Sequence, residues 1–314
     1  MIYPTGLPEA DRREPTYIDG MGASTVAVVT DSAVSLTTEL IDEFGITQIP
    51  VHLGIGREWF LDVDKASDAR VNEALNARAL VATTAASPAE IATVYRTVAR
   101  SGAESIVSIH VSSEYSAMLQ NAREAATRSP IPVTFVDAGT TAMGQSLIVL
   151  GAAALAEAGR TADEVAGGAL AIARSCRFLF TVESMEHLRR GGRVSAMVGA
   201  VGYLFNIRPV ISIHDGDTTV VDRVHKVERA REVIRSSMEL YASTLAHPAA
   251  CIGVPAGSAA DKGPTFSIRG PILEVAVGGS LAAHTGPGTC GVAVADMPPE
   301  FEAALRAHGL GHDA

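Results

Sequence analysis

SIVSIHVSSEYSAMLQNAREAATRSPIPVTFVD, residues 105–137, holds a complete strand–helix–strand unit. Ser105 to Val111 is short, apolar and β-branched, as a strand covered on both faces must be. A polar turn, Ser112-Ser113-Glu114, follows it. Helical spacing then runs from about Ser116 to Thr127, and Val133 to Val136 is a second strand ending at Asp137. Strands alternating with helices in this way belong to an α/β domain built on a parallel sheet.

The rhythm continues outward. Val26 to Thr30 (VAVVT) reads as another buried strand, bounded by Asp31-Ser32. Ser35 to Phe44 has helical spacing, with Ser35 as N-cap and Gly45 as stop. Ile46 to Ile55 is apolar and extended, and Pro50 places it at an edge or bend. A helix is expected over Asp68 to Ala79. Thr83 to Pro88 (TTAASP) reads as a loop, its Ser87-Pro88 end capping a helix that runs to Arg100. Beyond the central unit come a long apolar helix, Ala142 to Ala158, and one capped by Thr161 that runs to about Ser175. In such sheets ligands bind beyond the carboxyl ends of the strands, where Asp31 and Ser116 lie in turns.

The second half changes rhythm. Phe178 to Val182 is a strand, and a helix from Glu183 ends at Gly191-Gly192. A short apolar helix is expected over about Val194 to Leu204. Arg208 to His214 and Thr218 to His225 flank Asp215-Gly216, a strong hairpin signal. A long helix, Val227 to Leu245, precedes strands near Cys251 to Val254, Ile272 to Val277 and Cys290 to Ala295. The expected fold class is α/β in two domains. An N-terminal three-layer α/β/α domain with a parallel sheet covers 24–174, and a C-terminal α+β domain with a mixed sheet covers 175–314. Residues 1–23 lack periodicity and read as a disordered tail.

Composition removes several functions. No apolar run reaches the roughly 20 residues of a membrane span, so no transmembrane segment is expected. No basic segment followed by an apolar stretch opens the chain, and a cytoplasmic location is expected. A net charge of −10 argues against nucleic acid, because phosphate affinity depends on Lys and Arg. Cys176, Cys251 and Cys290 form no CxxC pair and read as buried small hydrophobes. GxxxxGK[ST], GxSxG and metal-ligand spacings are absent, so neither a cofactor nor a metal is expected.

Three segments carry chemistry. Ser112 to Ser116 joins a strand to a helix, where hydroxyls and backbone N–H groups bind an anion or simply cap the helix. His284-Thr285-Gly286-Pro287-Gly288 reads as a rigid loop, its histidine either a structural hydrogen-bonding group or a donor to a carboxylate. Leu188 to Ser195 (LRRGGRVS) is a helix C-cap with favourable basic residues, or a patch for a phosphate-bearing or acidic partner.

Taken in order, TDSAVSL (30–36), TTAASP (83–88), VSSEYSAMLQNA (111–122), LRRGGRVS (188–195) and HTGPG (284–288) resemble the DegV family of bacterial lipid-binding proteins. That resemblance runs from about Val26 to Met297. It implies a two-domain fold with one long-chain fatty acid in a tunnel between the domains. It also implies a non-enzymatic protein that presents the acid to a separate fatty acid kinase, which makes the acyl phosphate used in phospholipid synthesis. Carried over by position, the carboxylate site is Thr83, Ser116, Ala117, His284 and Thr285, and Arg193 serves the kinase or its phosphate chemistry. Met118, Leu119, Met143, Met197 and Phe205 are candidates to line the channel.

Four departures stand out. Ala117-Met118 replaces the family's Gly-Thr and is expected to make a bulkier wall. Ala86 replaces a proline, Glu228 stands where many members have an arginine, and the stretch from Cys251 to Ile272 is short. Two other readings stay open: a dihydroxyacetone-kinase-like substrate subunit using His284 covalently, and a lipid sensor without a kinase. A Ser116–His284 hydrolase pair lacks an identified orienting acid.

Overall fold

The computed structural model describes residues 25–63, 65–191, 207–255 and 266–310. The expected tail, the helix over 194–204, Arg193, Met197, Phe205 and half of the stretch between Cys251 and Ile272 lie outside them.

The first sheet contains β1 (Val26–Asp31), β2 (Thr47–Ile49), β6 (Ser105–His110) and β7 (Val133–Asp137), in the order β2-β1-β6-β7. All its pairings are parallel. Every residue of β1 is buried, as a central strand covered on both faces requires. Helices α3 (Pro88–Arg100) and α4 (Met118–Ala126) cover one face, packing Ile91, Tyr95, Met118 and Ala122 against Val29 and Ile106. Helices α5 (Ala142–Glu157) and α6 (Ala162–Ser175) cover the other.

α5 is buried almost throughout, from Ala142 to Ala156. A helix that is apolar all round needs cover on every side. α5 finds it by lying between two sheets, against β1 on one side and β11 (Pro248–Val254) and β13 (Cys290–Asp296) on the other. The approach to β11 is close: a Cβ on Gly253 would sit 2.4 Å from Met143 Cε.

The second sheet has the order β10-β9-β8-β13-β11-β12, adding β8 (Arg177–Thr181), β9 (Arg208–His214), β10 (Asp217–Val224) and β12 (Ile272–Ala276). Its pairings are antiparallel except β11 with β12. Helix α8 (Val227–Ala242) seals the outer face through Ala230, Ile234 and Met238. The layers therefore run α3/α4, parallel sheet, α5/α6, mixed sheet, α8, and one continuous core surrounds α5 and α6. Asp215 (φ 50) and Gly216 (φ 80) make the expected β9–β10 turn, with both central residues at positive φ.

A third sheet was not expected. β3 (His52–Ile55), β4 (Glu58–Leu61) and β5 (Val81–Thr84) pair antiparallel in the order β4-β3-β5. The extended segment 46–55 is thus two strands in different sheets, broken at Pro50, which has no N–H to donate to a ladder. Thr83 belongs to β5 and not to a loop. Two further corrections concern helices. Thr37, not Ser35, caps α1 (Thr38–Glu43), while the Ser35 N–H donates to Ser146 Oγ at 2.9 Å. α2 spans Lys65–Asn76, three residues earlier than expected. Two short helices also appear, α9 (Gly279–Thr285) and α10 (Pro299–Ala307).

Candidate functional site

Three elements bring the expected residues together. β5 carries Thr83, held opposite Leu53 of β3. The turn after β6 and the start of α4 carry Ser116 and Ala117, and α9 carries His284 and Thr285. The last two therefore sit in the final turn of a helix and not in the loop read from HTGPG. Thr83 Oγ1 and His284 Nε2 lie 2.8 Å apart although 201 positions separate them in sequence.

The helix carrying His284 is tethered at its other end. The Gly279 N–H donates to Asp68 Oδ1 at 2.5 Å, and Ser280 Oγ donates to Asp62 Oδ2 at 2.6 Å. Ser32 Oγ also donates to Asp62, at 3.1 Å, and accepts from the Val51 N–H at 2.8 Å. Burial pushes the Asp62 carboxyl up to about 7; the Ser280 hydroxyl opposes the rise and the Asp68 charge adds to it. At the C-terminal end, Gly286 has φ 83, and a Cβ there would stand 2.4 Å from the His187 ring. Glycine is therefore needed so that α7 (Met185–Gly191) can pack on α9.

Ser116 supports both of its readings. Its Oγ accepts from the Met118 N–H at 3.2 Å, capping the first turn of α4, and the same hydroxyl carries a hydrogen that a ligand can accept. Thr285 Oγ1 donates to Leu281 O at 2.9 Å, so its hydrogen is committed to its own helix.

Thr83, Ser116, Ala117, His284 and Thr285 all line one cavity of about 280 Å³. Its other described walls include Val51, Val111, Phe180, Leu188, Ile213 and Leu281, with Tyr115, Thr141, Thr218 and Ser280 as further polar groups. The described lining contains no Lys, Arg, Asp or Glu. The hairpin tip closes on this region. Tyr115 bonds Thr218 through its hydroxyl and donates to Gly216 O at 3.3 Å, while the Gly216 N–H donates to Gly139 O at 2.7 Å.

The three expected channel residues that are described, Met118, Leu119 and Met143, do not line this cavity. Met118 is fully buried between the parallel sheet and α3/α4, and Met143 packs on Gly253 within the shared core. Leu119 borders a second depression, on the other side of Ser116 and Ala117, beside Ser113, Gln120 and Arg123. The bulk of Met118 therefore does not enter the cavity, and of the Ala117-Met118 departure only Ala117 reaches its wall. Phe178 and Phe180 share one face of β8 and Leu179 lies on the other, as the two-residue period of a strand requires.

Asp31 is the last residue of β1 and fully buried, at the head of an internal polar chain. Its Oδ2 bonds His110 Nδ1 at 2.9 Å, His110 Nε2 meets Ser108 Oγ at 2.8 Å, and Ser108 meets the Tyr95 hydroxyl at 2.9 Å. Burial drives Tyr95 up to about 12. Asp31 also accepts from the N–H groups of Ala33 (3.1 Å) and Val111 (3.0 Å), both cavity residues. It shapes the wall from behind.

Arg193 lies outside the described residues. Of the neighbouring basic groups, Arg190 pairs with Glu186 at 2.5 Å and Arg208 with Glu183 at 3.8 Å. Glu228 occupies the first turn of α8, where a negative side chain suits the helix dipole. The three cysteines are buried, and burial pushes the Cys176 thiol up to about 12. Among the described residues no group of three or more His, Cys, Asp or Glu side chains could hold a metal ion, and no helix is long and apolar enough to cross a membrane.

Comparison with known proteins agrees with this fold. Residues 25–296 match the family model described as "Uncharacterised protein, DegV family". A DegV domain-containing protein of Streptomyces coelicolor is 33% identical over 277 residues, covering 86% of this chain and 98% of the relative. One from Mycobacterium tuberculosis is 31% identical over 281 residues, covering 86% and 97%. Among solved structures, a DegV family protein from Thermus thermophilus, described for its fatty acid binding, superposes with a TM-score of 0.78 at 25% identity, covering 87% of this chain and 99% of that one. A stearic acid-binding protein from Eubacterium ventriosum shares the fold, with a TM-score of 0.75 at 20% identity over 88% and 99%.

Proposed function

This chain belongs to the DegV family, and on that premise we propose that it binds a long-chain fatty acid, with the carboxylate held by Thr83, Ser116, the Ala117 backbone and His284, and with Thr285 in the adjoining wall. The observation that carries the reading is the 2.8 Å pair of Thr83 and His284 on the wall of a cavity whose described lining has no Lys, Arg, Asp or Glu. An anion there meets hydrogen-bond donors and no competing carboxylate, and hydrogen bonds to a charged acceptor are stronger than neutral ones. The apolar walls supply the remainder, at roughly 0.8 kcal/mol for each methylene taken out of water.

The reading takes residues 24–174 and 175–314 as two domains whose junction the acyl chain occupies. It further holds that the protein works in the cytoplasm as a non-enzymatic carrier, without a cofactor, presenting the acid to a fatty acid kinase. Arg193 is assigned to that encounter. α7 supports the assignment, because it packs on the His284 helix, contributes Leu188 to the cavity and leads directly into the basic segment.

Native mass spectrometry tests the binding. The purified protein is expected to carry an extra mass equal to a long-chain acid, released by organic extraction, and Ser116→Ala to lose most of it. Protein that is empty as purified, and that takes up no acid on titration, sinks the proposal. A stable covalent adduct on His284 would instead favour the substrate-subunit reading.

A further inference from the structure

We propose that Asn121 is the positioning residue of the carboxylate site, fixing the distance between the hydroxyls of Thr83 and Ser116. This rests on the fatty-acid reading above and deepens it. Asn121 is half-buried on α4 and lines the cavity. Its Nδ2 donates to Ala86 O at 2.8 Å. A carbonyl oxygen only accepts, so the bond fixes which way round the amide sits. Ala86 itself is 2% exposed and lies three residues beyond Thr83, at the end of the segment leaving β5.

The other end of the strut is equally firm. The Asn121 N–H donates to Ala117 O at 2.9 Å, so Asn121 stands one helical turn above Ala117 on the same face. A continuous path thus runs from Thr83 along the backbone to Ala86, across one amide hydrogen bond to α4, and down one turn to Ala117 and Ser116. Thr83 is held on its far side by His284. The amide is the polar tie on that path, set beside the packing of α3 on α4, and without it the spacing of the two hydroxyls loosens.

The chemistry that depends on this spacing is a head group with two equivalent acceptor oxygens, which a carboxylate has and a methyl ester does not. The ester uses the same apolar walls but gains little from correctly spaced donors. Selectivity for acid over ester therefore reads out positioning, whereas a general loss of packing lowers both affinities.

The experiment titrates the delipidated full chain with palmitic acid and with its methyl ester, in wild type, Asn121→Ala and Asn121→Asp. For Asn121→Ala, acid affinity is expected to fall about tenfold, the worth of one hydrogen bond to a charged group, with ester affinity within about twofold. For Asn121→Asp, an ionised carboxylate faces the Ala86 carbonyl. Its acid affinity relative to wild type is expected to be lowest at pH 8 and to recover toward pH 5, as protonation restores a donor. Parallel losses for acid and ester, an unchanged acid affinity in Asn121→Ala, or a flat pH ratio in Asn121→Asp overturns the proposal. Wild-type protein that binds neither probe overturns the fatty-acid reading with it.

Discussion

His284→Ala is expected to weaken long-chain acid binding by roughly 30- to 100-fold, the equivalent of about 2–3 kcal/mol. Two effects combine. The imidazole is lost as a donor to the carboxylate, and the Thr83 hydroxyl, 2.8 Å from it in the intact protein, loses the group that orients it. Because the two side chains act as a pair, Thr83→Val should cost a comparable amount, and the double variant little more than either single one. Titration of all four proteins with one acid measures this. Losses that simply add would show that Thr83 and His284 contact the ligand independently, or not at all. The unfolding midpoint of His284→Ala should move little, since the residue is only half-buried.

Asp62→Asn is expected to remove a large pH dependence of stability. The Asp62 carboxyl is buried and rises from its usual 3.8 to about 7 in the folded protein, so folding favours the protonated form. Below about pH 4 the folded and unfolded chains both hold the proton and the group costs nothing. As pH climbs to 7 the unfolded chain releases its proton while the folded chain keeps it, and the native state loses ground steadily. Above pH 7 the penalty is complete, at roughly 4 kcal/mol. An asparagine accepts the same bonds from Ser280 and Ser32 without ionising. The variant should therefore unfold at higher urea than wild type at pH 8, and the gap should close as pH falls toward 4. A gap that is constant with pH would show that Asp62 is ionised throughout. A smaller second effect is expected on acid affinity at pH 8, because Ser280 belongs to the helix that carries His284.

The features legible in the sequence share a local cause. β1, β6 and β7 are β-branched runs followed by polar turns, so period and punctuation both point the same way. Asp215-Gly216 announces its turn because few residue pairs tolerate positive φ at both central positions. The length and uniform apolarity of α5 mark it as deeply buried, though not that it serves two sheets at once. The third sheet is illegible because four-residue strands are too short to display alternation, and Thr83-Thr84, with neighbours that punctuate a loop, reads as one. α9 is hidden for a similar reason: glycines at 278, 279, 286 and 288 surround it and resemble loop composition.

The candidate site divides along the same line. Thr83, Ser116 and His284 each have a plain structural explanation when read singly. Their assembly depends on a contact across 201 positions between Thr83 and His284 and on a shared cavity that brings in Ser116, neither of which any periodicity encodes. Asp62 and Asn121 carry no signal at all, since one follows a short strand and the other sits on a polar-looking helix turn. Met118 and Met143 read as channel residues in sequence because apolar side chains do not declare which of several cores they fill.

The most direct measurement is carbon NMR of the delipidated protein titrated with palmitic acid enriched in ¹³C at the carboxyl carbon. A single bound carboxyl signal is predicted, distinct from the free acid. It should titrate at lower pH than free acid, because donors to the charged form stabilise it. In Thr83→Val that signal should weaken sharply or merge with the free one. A spectrum showing only free acid, or a bound signal identical in wild type and Thr83→Val, would contradict a carboxylate site at Thr83 and His284.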